Sequence, residues 1–145
     1  MEEIINRVVG KWKREGCASA DSLNLEGVES WVARRSFSLP RALVGLYKLS
    51  DGMISDHMDR EGFSFWSLDR FVRYRDLVPS EAKGEGSECV VFAEFLMASH
   101  FYALNILEDD AIPIVLCGGR KPVTVARDFE QFLEMYLDGS DDLWG

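Results

Sequence analysis

The chain has 145 residues, 47% of them hydrophobic and 28% charged, with 25 acidic against 16 basic side chains and a formal net charge of −9. This length suits one domain with a real apolar core, spanning 1–145, and the composition excludes a disordered chain. The acidic balance removes the long-range attraction to phosphate backbones, so direct nucleic-acid binding is not expected.

Ile4, Ile5, Val8, Val9 and Trp12 recur at helical spacing and predict an amphipathic helix over 3–15 that ends near Gly16. The start, Met1-Glu2-Glu3, is acidic and the basic residues follow it, the reverse of a secretory signal, so a cytoplasmic protein is expected. Val28, Trp31 and Val32 mark a short second helix that must stop before Pro40. Pro40 suits the first turn of a third helix carrying Leu43, Val44, Leu46, Tyr47 and Leu49, an apolar set that implies deep burial. Gly52, in "SDG", is placed to take the left-handed conformation that closes a helix.

Beyond an acidic turn region, Phe63 and Phe65 alternate as in a short strand, and "SLDRFVRYRDL" reads as a helix capped by Ser67. Pro79 to Glu88 is a polar loop. Val90 to Phe95 and Phe101 to Leu107 are β-rich runs joined through Met97 to His100, and their lack of charge places them at the centre of a sheet. The whole run from Val90 to Ile106 is shorter than the roughly 20 apolar residues of a spanning helix and contains Glu94, Ser99, His100 and Asn105, so no membrane segment is expected. Ile114 to Cys117 and Val123 to Ala126 form a hairpin around Gly118-Gly119. Phe129, Phe132, Leu133, Tyr136 and Leu137 define a last helix, with Asp128 as N-cap, Gln131 set for a capping box and Gly139 beyond its end. The acidic tail over 138–145 is expected to fray.

Motifs that carry chemistry are few. Cys17, Cys89 and Cys117 are an odd number at wide spacings, which fits structural thiols in a reducing compartment, and a zinc site would need parts from distant segments. "CGGRKPVT" has the wrong spacing for a phosphate loop, and no GxSxG setting or Cys-His signature is present. His100, in a turn between strands, reads as a surface or hydrogen-bonded residue rather than a base. No catalytic residue and no cofactor is expected.

The segment "SDGMISDHMDREG" gathers Asp51, Asp56, Asp59 and Glu61 near His57. Its spacing matches no calcium loop, and a solvated connection accounts for it more simply than a metal site built from Asp51, Asp56, His57 and Asp59. These carboxylates beside Trp66 are the candidate contacts for a basic protein partner, with Trp144 a second aromatic in an acidic setting. Core positions for Trp66, and for Trp144 folded onto the last helix, are the competing expectation. Basic clusters at Arg34, Arg35 and Arg41 and at Arg70, Arg73 and Arg75 read as solvated helix faces, with an anion-binding patch as the alternative.

"LPRALVGLYKLSDG", "FSFWSLDRF", "VVFAEFLMASHFYALNI" and "VTVARDFEQFLEMYL", in that order, resemble the SUKH superfamily of fungal Smi/Knr-type cell-wall synthesis regulators and bacterial toxin-immunity proteins. The resemblance runs from Trp31 to Leu137 and rests on Leu39-Pro40 with Gly52, Phe92-Ala93 with Tyr102-Ala103, and Ala126 with Phe129, Phe132 and Leu133. It implies an α+β domain in which a mostly antiparallel central sheet of about five or six strands packs against three to five helices. It further implies a non-catalytic, protein-binding role: an immunity protein that neutralises a basic toxin domain such as a nuclease, or else a regulatory scaffold. The helix over 3–15 and the tail lie outside the pattern.

Overall fold

A computed structural model describes residues 1–35, 38–81, 84–107, 111–119 and 121–145. Three helices come first, α1 (Glu2–Arg14), α2 (Leu25–Arg35) and α3 (Arg41–Leu49), where the apolar spacing places them. Gly16 follows α1 with φ +73°. Then come β1 (Phe63–Phe65), a 3₁₀ turn (Leu68–Arg70), β2 (Val72–Arg73), the single-turn α4 (Tyr74–Leu77) and a 3₁₀ turn (Pro79–Glu81). The second half holds β3 (Val90–Phe95), β4 (His100–Leu104), β5 (Ile114–Cys117), β6 (Val123–Ala126), α5 (Phe129–Asp138) and a final 3₁₀ turn (Asp141–Trp144).

The fold is α+β. Its six strands form one antiparallel sheet in the order β1-β3-β4-β5-β6, and β2 pairs with β3 in line with β1. Phe65 stands opposite Ala93 and Val72 opposite Val91, so the two short strands share one edge of β3. The register of β3 on β4 slips between Val91 and Ala93, leaving Phe92 as a bulge residue. Its carbonyl accepts from Trp66 N–H at 2.8 Å, where the chain passes from β1 toward β2.

Helices α1 and α5 pack on one face of the sheet. Tyr136 and Phe132 of α5 meet Phe65 at 5.1 and 6.1 Å between ring centroids, Phe129 meets Phe92 at 5.3 Å, and Trp12 of α1 meets Phe65 at 5.0 Å. Side chains alternate across a strand, so Phe101 points opposite to Tyr102. Phe101 is covered by Trp66 and Tyr74, each at 6.2 Å, while Tyr102 packs on Phe132 at 5.1 Å. Burial on both faces explains why β3 to β5 lack charge except at Glu94.

The last helix starts and stops where expected, but its capping box is displaced by one residue, because the Gln131 side chain reaches the N–H of Arg127 and not that of the N-cap Asp128. Asp128 Oδ1 accepts from Gln131 N–H at 2.8 Å, Gln131 Oε1 accepts from Arg127 N–H at 2.8 Å, and Gly139 takes φ +65°. Gly52 is also left-handed, at φ +71°, and a Cβ there would lie 2.4 Å from the Trp66 carbonyl oxygen. Only glycine fits that approach.

Three further expectations need correction. "SLDRFVRYRDL" is no continuous helix: Leu68 and Phe71 are three apart, but Val72 and Arg73 extend to pair with Val91 and Val90, so sheet pairing overrides the helical spacing. Ser67 makes no side-chain cap there, and Asp51 Oδ1 accepts the Leu68 N–H at 2.9 Å in its place. The second central strand stops at Leu104: the Asn105 N–H still reaches the Pro113 carbonyl in register at 2.9 Å, but proline has no N–H to return the bond, and the Ile106 N–H turns back to the Leu104 carbonyl at 3.1 Å. The acidic tail is not frayed either: Leu143 is 1% exposed, and its carbonyl accepts from the Tyr102 hydroxyl at 2.9 Å. Of the hairpin glycines, Gly118 is left-handed at φ +118°. Arg120 of that turn, Ala82 and Lys83 of the polar loop, and Ser36 and Phe37 after α2 lie outside the described residues.

Candidate protein-binding surface

The segment from Met53 to Gly62 is tied down at both ends. Met53 N–H donates to the Phe65 carbonyl at 2.8 Å, and Ile54 N–H to the Cys17 carbonyl at 2.9 Å. At the far end Asp59 Oδ1 accepts from the N–H groups of Glu61, Gly62 and Phe63 at 3.0, 2.9 and 2.9 Å. Its other oxygen takes the Tyr136 hydroxyl, which in turn accepts from Trp12 Nε1 at 3.1 Å. Asp59 is 4% exposed. Burial pushes its carboxyl above the ordinary carboxylate range, against the Tyr136 hydrogen bond, the Phe63 N–H and the Lys11 charge.

Lys11 Nζ stands 2.5 Å from Glu15, 2.7 Å from Glu61 and 3.7 Å from Asp59. Glu15, Asp59 and Glu61 bring carboxylate oxygens within 4.8 Å of one another, and the ammonium group supplies positive charge to that cluster. Burial works to lower the Lys11 pKa, but hydrogen bonds to Glu15 and Glu61 outweigh it and raise it. This network anchors the connection to α1 and α5.

With its ends fixed, the middle of the segment becomes a ridge between two clefts. On one side Ile54 and Ser55 border a 640 Å³ groove that also takes in Asp21, Asp51 and Asp69. Burial raises the Asp51 pKa, the Leu68 N–H opposes the rise, and the charges of Asp69 and Asp21 add to it. On the other side Asp56, His57 and Met58 border a 290 Å³ cleft with Ser64, Glu94 and Met97.

Met97 is 80% exposed at the tip of the β3–β4 connection. Leu96, Met97 and Ala98 take φ of +48°, +54° and +70°, three consecutive left-handed residues without a glycine. Such a run costs on the order of 1 kcal/mol per residue. It is held by Leu96 N–H to the Gly62 carbonyl at 3.0 Å and by Ser99 N–H and Oγ to the Phe95 carbonyl at 3.1 and 2.9 Å. Beyond Leu96, a small apolar cleft is lined by Phe95, Leu116 and Trp144. Trp144 is 43% exposed and rests on Phe95 at 4.3 Å and Phe63 at 5.5 Å, on the sheet rather than on the last helix.

The five partner contacts expected from sequence therefore separate. Asp51 and Asp56 line the two clefts, and Glu61 is on the surface but engaged by Lys11. Asp59 is the buried anchor beneath them. Trp66 is 3% exposed, packed between Phe101 and the Arg70 guanidinium, so it is not presented to solvent: the bulge at Phe92 draws its backbone into the sheet. Of the two tryptophans, it is Trp144 that reaches the surface. His57 Nδ1 lies 3.1 Å from the Ser55 carbonyl, Asp51 accepts the Leu68 N–H and Asp59 is held by Tyr136, so these three are engaged separately, while Asp56 borders the cleft of His57 and Met58.

Met58, Leu96, Met97, Asp69 and Glu94 were not among the sequence-predicted contacts. Their position follows from the ridge and the left-handed turn, neither of which leaves a mark in residue type. Burial raises the Cys17 and Cys89 thiols to about 11 and Cys117 to about 12, so all three stay protonated near neutral pH. No helix is long and apolar enough to cross a membrane among the described residues. No protein-family model matches the chain, and no curated protein is significantly similar to it.

Proposed function

We propose that this chain is a non-catalytic protein-binding domain that works in the cytoplasm as an immunity protein, covering the basic surface of a cognate toxin. One observation carries the reading: a turn of three left-handed residues holds Met97 out to solvent beside Met58, in a cleft that carries Asp56 and Glu94. Folding alone gains nothing from an exposed methionine on a strained turn, whereas an interface gains an adaptable apolar contact ringed by charge. The net charge of −9 supports the choice of a basic partner, because it steers such a partner toward the surface. The SUKH-like order of segments supports the same role.

Co-expression with the cognate toxin tests the proposal. Wild-type protein is expected to protect the cell and to co-purify with the toxin one to one. Met97→Glu and Asp56→Lys, both at exposed positions, are expected to fold normally and to weaken the complex by about tenfold or more, chiefly through faster dissociation for Met97 and slower association for Asp56. Equal killing with and without the wild-type chain ends the immunity reading. Unchanged affinity of both variants moves the interface away from this surface.

A further inference from the structure

One cleft runs against the charge of the whole molecule. Arg34 and Arg35, from the last turn of α2, and Arg73, from β2, border a 370 Å³ space floored by Trp31, Phe71 and Val90. Sequence places these arginines in two separate clusters, and the pairing of Val72 and Arg73 with β3 is what brings one member of the second cluster to the first. Asp76 is the one acidic residue that lines the cleft with these three arginines. Arg34 has no carboxylate partner among the described residues, and Arg35 lies over the Trp31 ring at 4.4 Å. Arg73 is held only loosely, its Nε 3.7 Å from a Glu88 whose tighter partner is Arg75 at 2.6 Å.

Basic residues in the last turn of a helix ordinarily complement its carbonyl end, which accounts for Arg34 and Arg35. It does not account for a third arginine converging from a strand on the same space. We infer that this cleft binds a phosphate monoester carried on a small apolar body. The two excess positive charges match the nearly double charge of such a phosphate at neutral pH, and guanidinium forks suit its oxygens. The space exceeds what a bare ion fills, and its aromatic and aliphatic floor suits an organic remainder. The inference is independent of toxin binding, because the cleft lies at the Val90 end of β3 and the Met97 turn at its Phe95 end.

Phenyl phosphate is the probe, titrated into the full chain and followed by assigned amide and indole NMR signals. Saturable shifts are expected at the Trp31 indole and the Val72 and Arg73 amides, with Trp12 and Trp144 unmoved. Phenol should give none, and benzoate should bind several-fold more weakly. Arg34→Glu with Arg73→Glu should reduce affinity by about tenfold or more, with Arg34→Gln alone, at an exposed position, as the milder variant if the pair unfolds. No saturable shift below about 10 mM, equal binding of phenol or benzoate, or undiminished affinity in folded charge variants overturns the assignment.

Discussion

The Tyr136 hydroxyl donates to the buried carboxylate of Asp59 across 77 residues of sequence, joining the last helix to the connection that carries the acidic ridge. The same hydroxyl accepts from Trp12 Nε1, so α1, α5 and the ridge meet at one oxygen. Removing either partner strands buried polar groups. Asp59→Ala, which also frees three backbone N–H groups, is expected to cost about 3 kcal/mol, and Tyr136→Phe about 2 kcal/mol. Urea unfolding of the two single variants and the double variant checks this: the costs should fall short of additivity by about 1 kcal/mol or more. Additive costs would mean that the two groups act apart.

Two carboxylates of this network respond to pH in opposite directions. Burial works to raise the Glu15 pKa, but the Lys11 hydrogen bond and the Arg60 N–H overrule it, so the folded value lies below the ordinary carboxylate range. Its contribution is present above the unfolded value and is lost as pH falls through the folded one. Asp59 is raised, so its contribution is full below the unfolded value and is lost as pH rises through the folded one. Against wild type, Glu15→Gln should be most costly above about pH 5 and lose that cost on acidification. Asp59→Asn should remove the loss of stability that ionisation of Asp59 contributes as pH climbs from about 4. Denaturation midpoints across pH 3 to 7 for the three proteins settle both signs.

Where the sequence was legible, one physical cause acted alone. Val90 to Phe95, Ile114 to Cys117 and Val123 to Ala126 are strands over the expected residues, because β-rich runs there coincide with sheet pairing. Asp128, Gln131 and Gly139 mark α5 through local hydrogen bonds that need no tertiary context. Legibility failed where two causes competed. Leu68 and Phe71 have helical spacing, yet the edge of β3 claims the next two residues. Trp66 and Trp144 both sit beside carboxylates in the sequence, and only the bulge at Phe92 and the docking of the tail decide which one is buried. The ridge was legible as an acidic segment but not as a surface, since the clefts on its two sides are completed by Asp21 and Met97 from elsewhere in the chain.

The left-handed turn sets stability against binding. Ala98 is exposed at φ +70°, where glycine removes the Cβ conflict at some cost in unfolded-chain entropy. Ala98→Gly is expected to stabilise the fold by up to about 1 kcal/mol, and Met97→Gly by a similar amount. The two should differ in partner binding: Ala98→Gly keeps the Met97 side chain, while Met97→Gly removes it. Unfolding midpoints with affinities for the cognate toxin separate these effects. Loss of stability in Ala98→Gly would show that the turn is not strained.

The tail offers the sharpest contrast with its composition. Leu143 is 1% exposed although it lies between two aspartates and a tryptophan, and the Tyr102 hydroxyl fixes its carbonyl from the centre of the sheet. Trp144 then closes over Phe95 and Phe63, so the end of the helical face at β1 and β3 depends on residues that charge alone assigns to solvent. Leu143→Ala should cost about 3 kcal/mol, in the range of a large-to-small change in a packed core. Trp144→Ala, at a half-exposed position, should cost about 1 kcal/mol, while reducing partner affinity more than Leu143→Ala does. Thermal unfolding and toxin binding of the two variants test the division. If both costs fall below about 0.5 kcal/mol, the tail is only loosely attached and Phe63 and Phe95 are accessible without it.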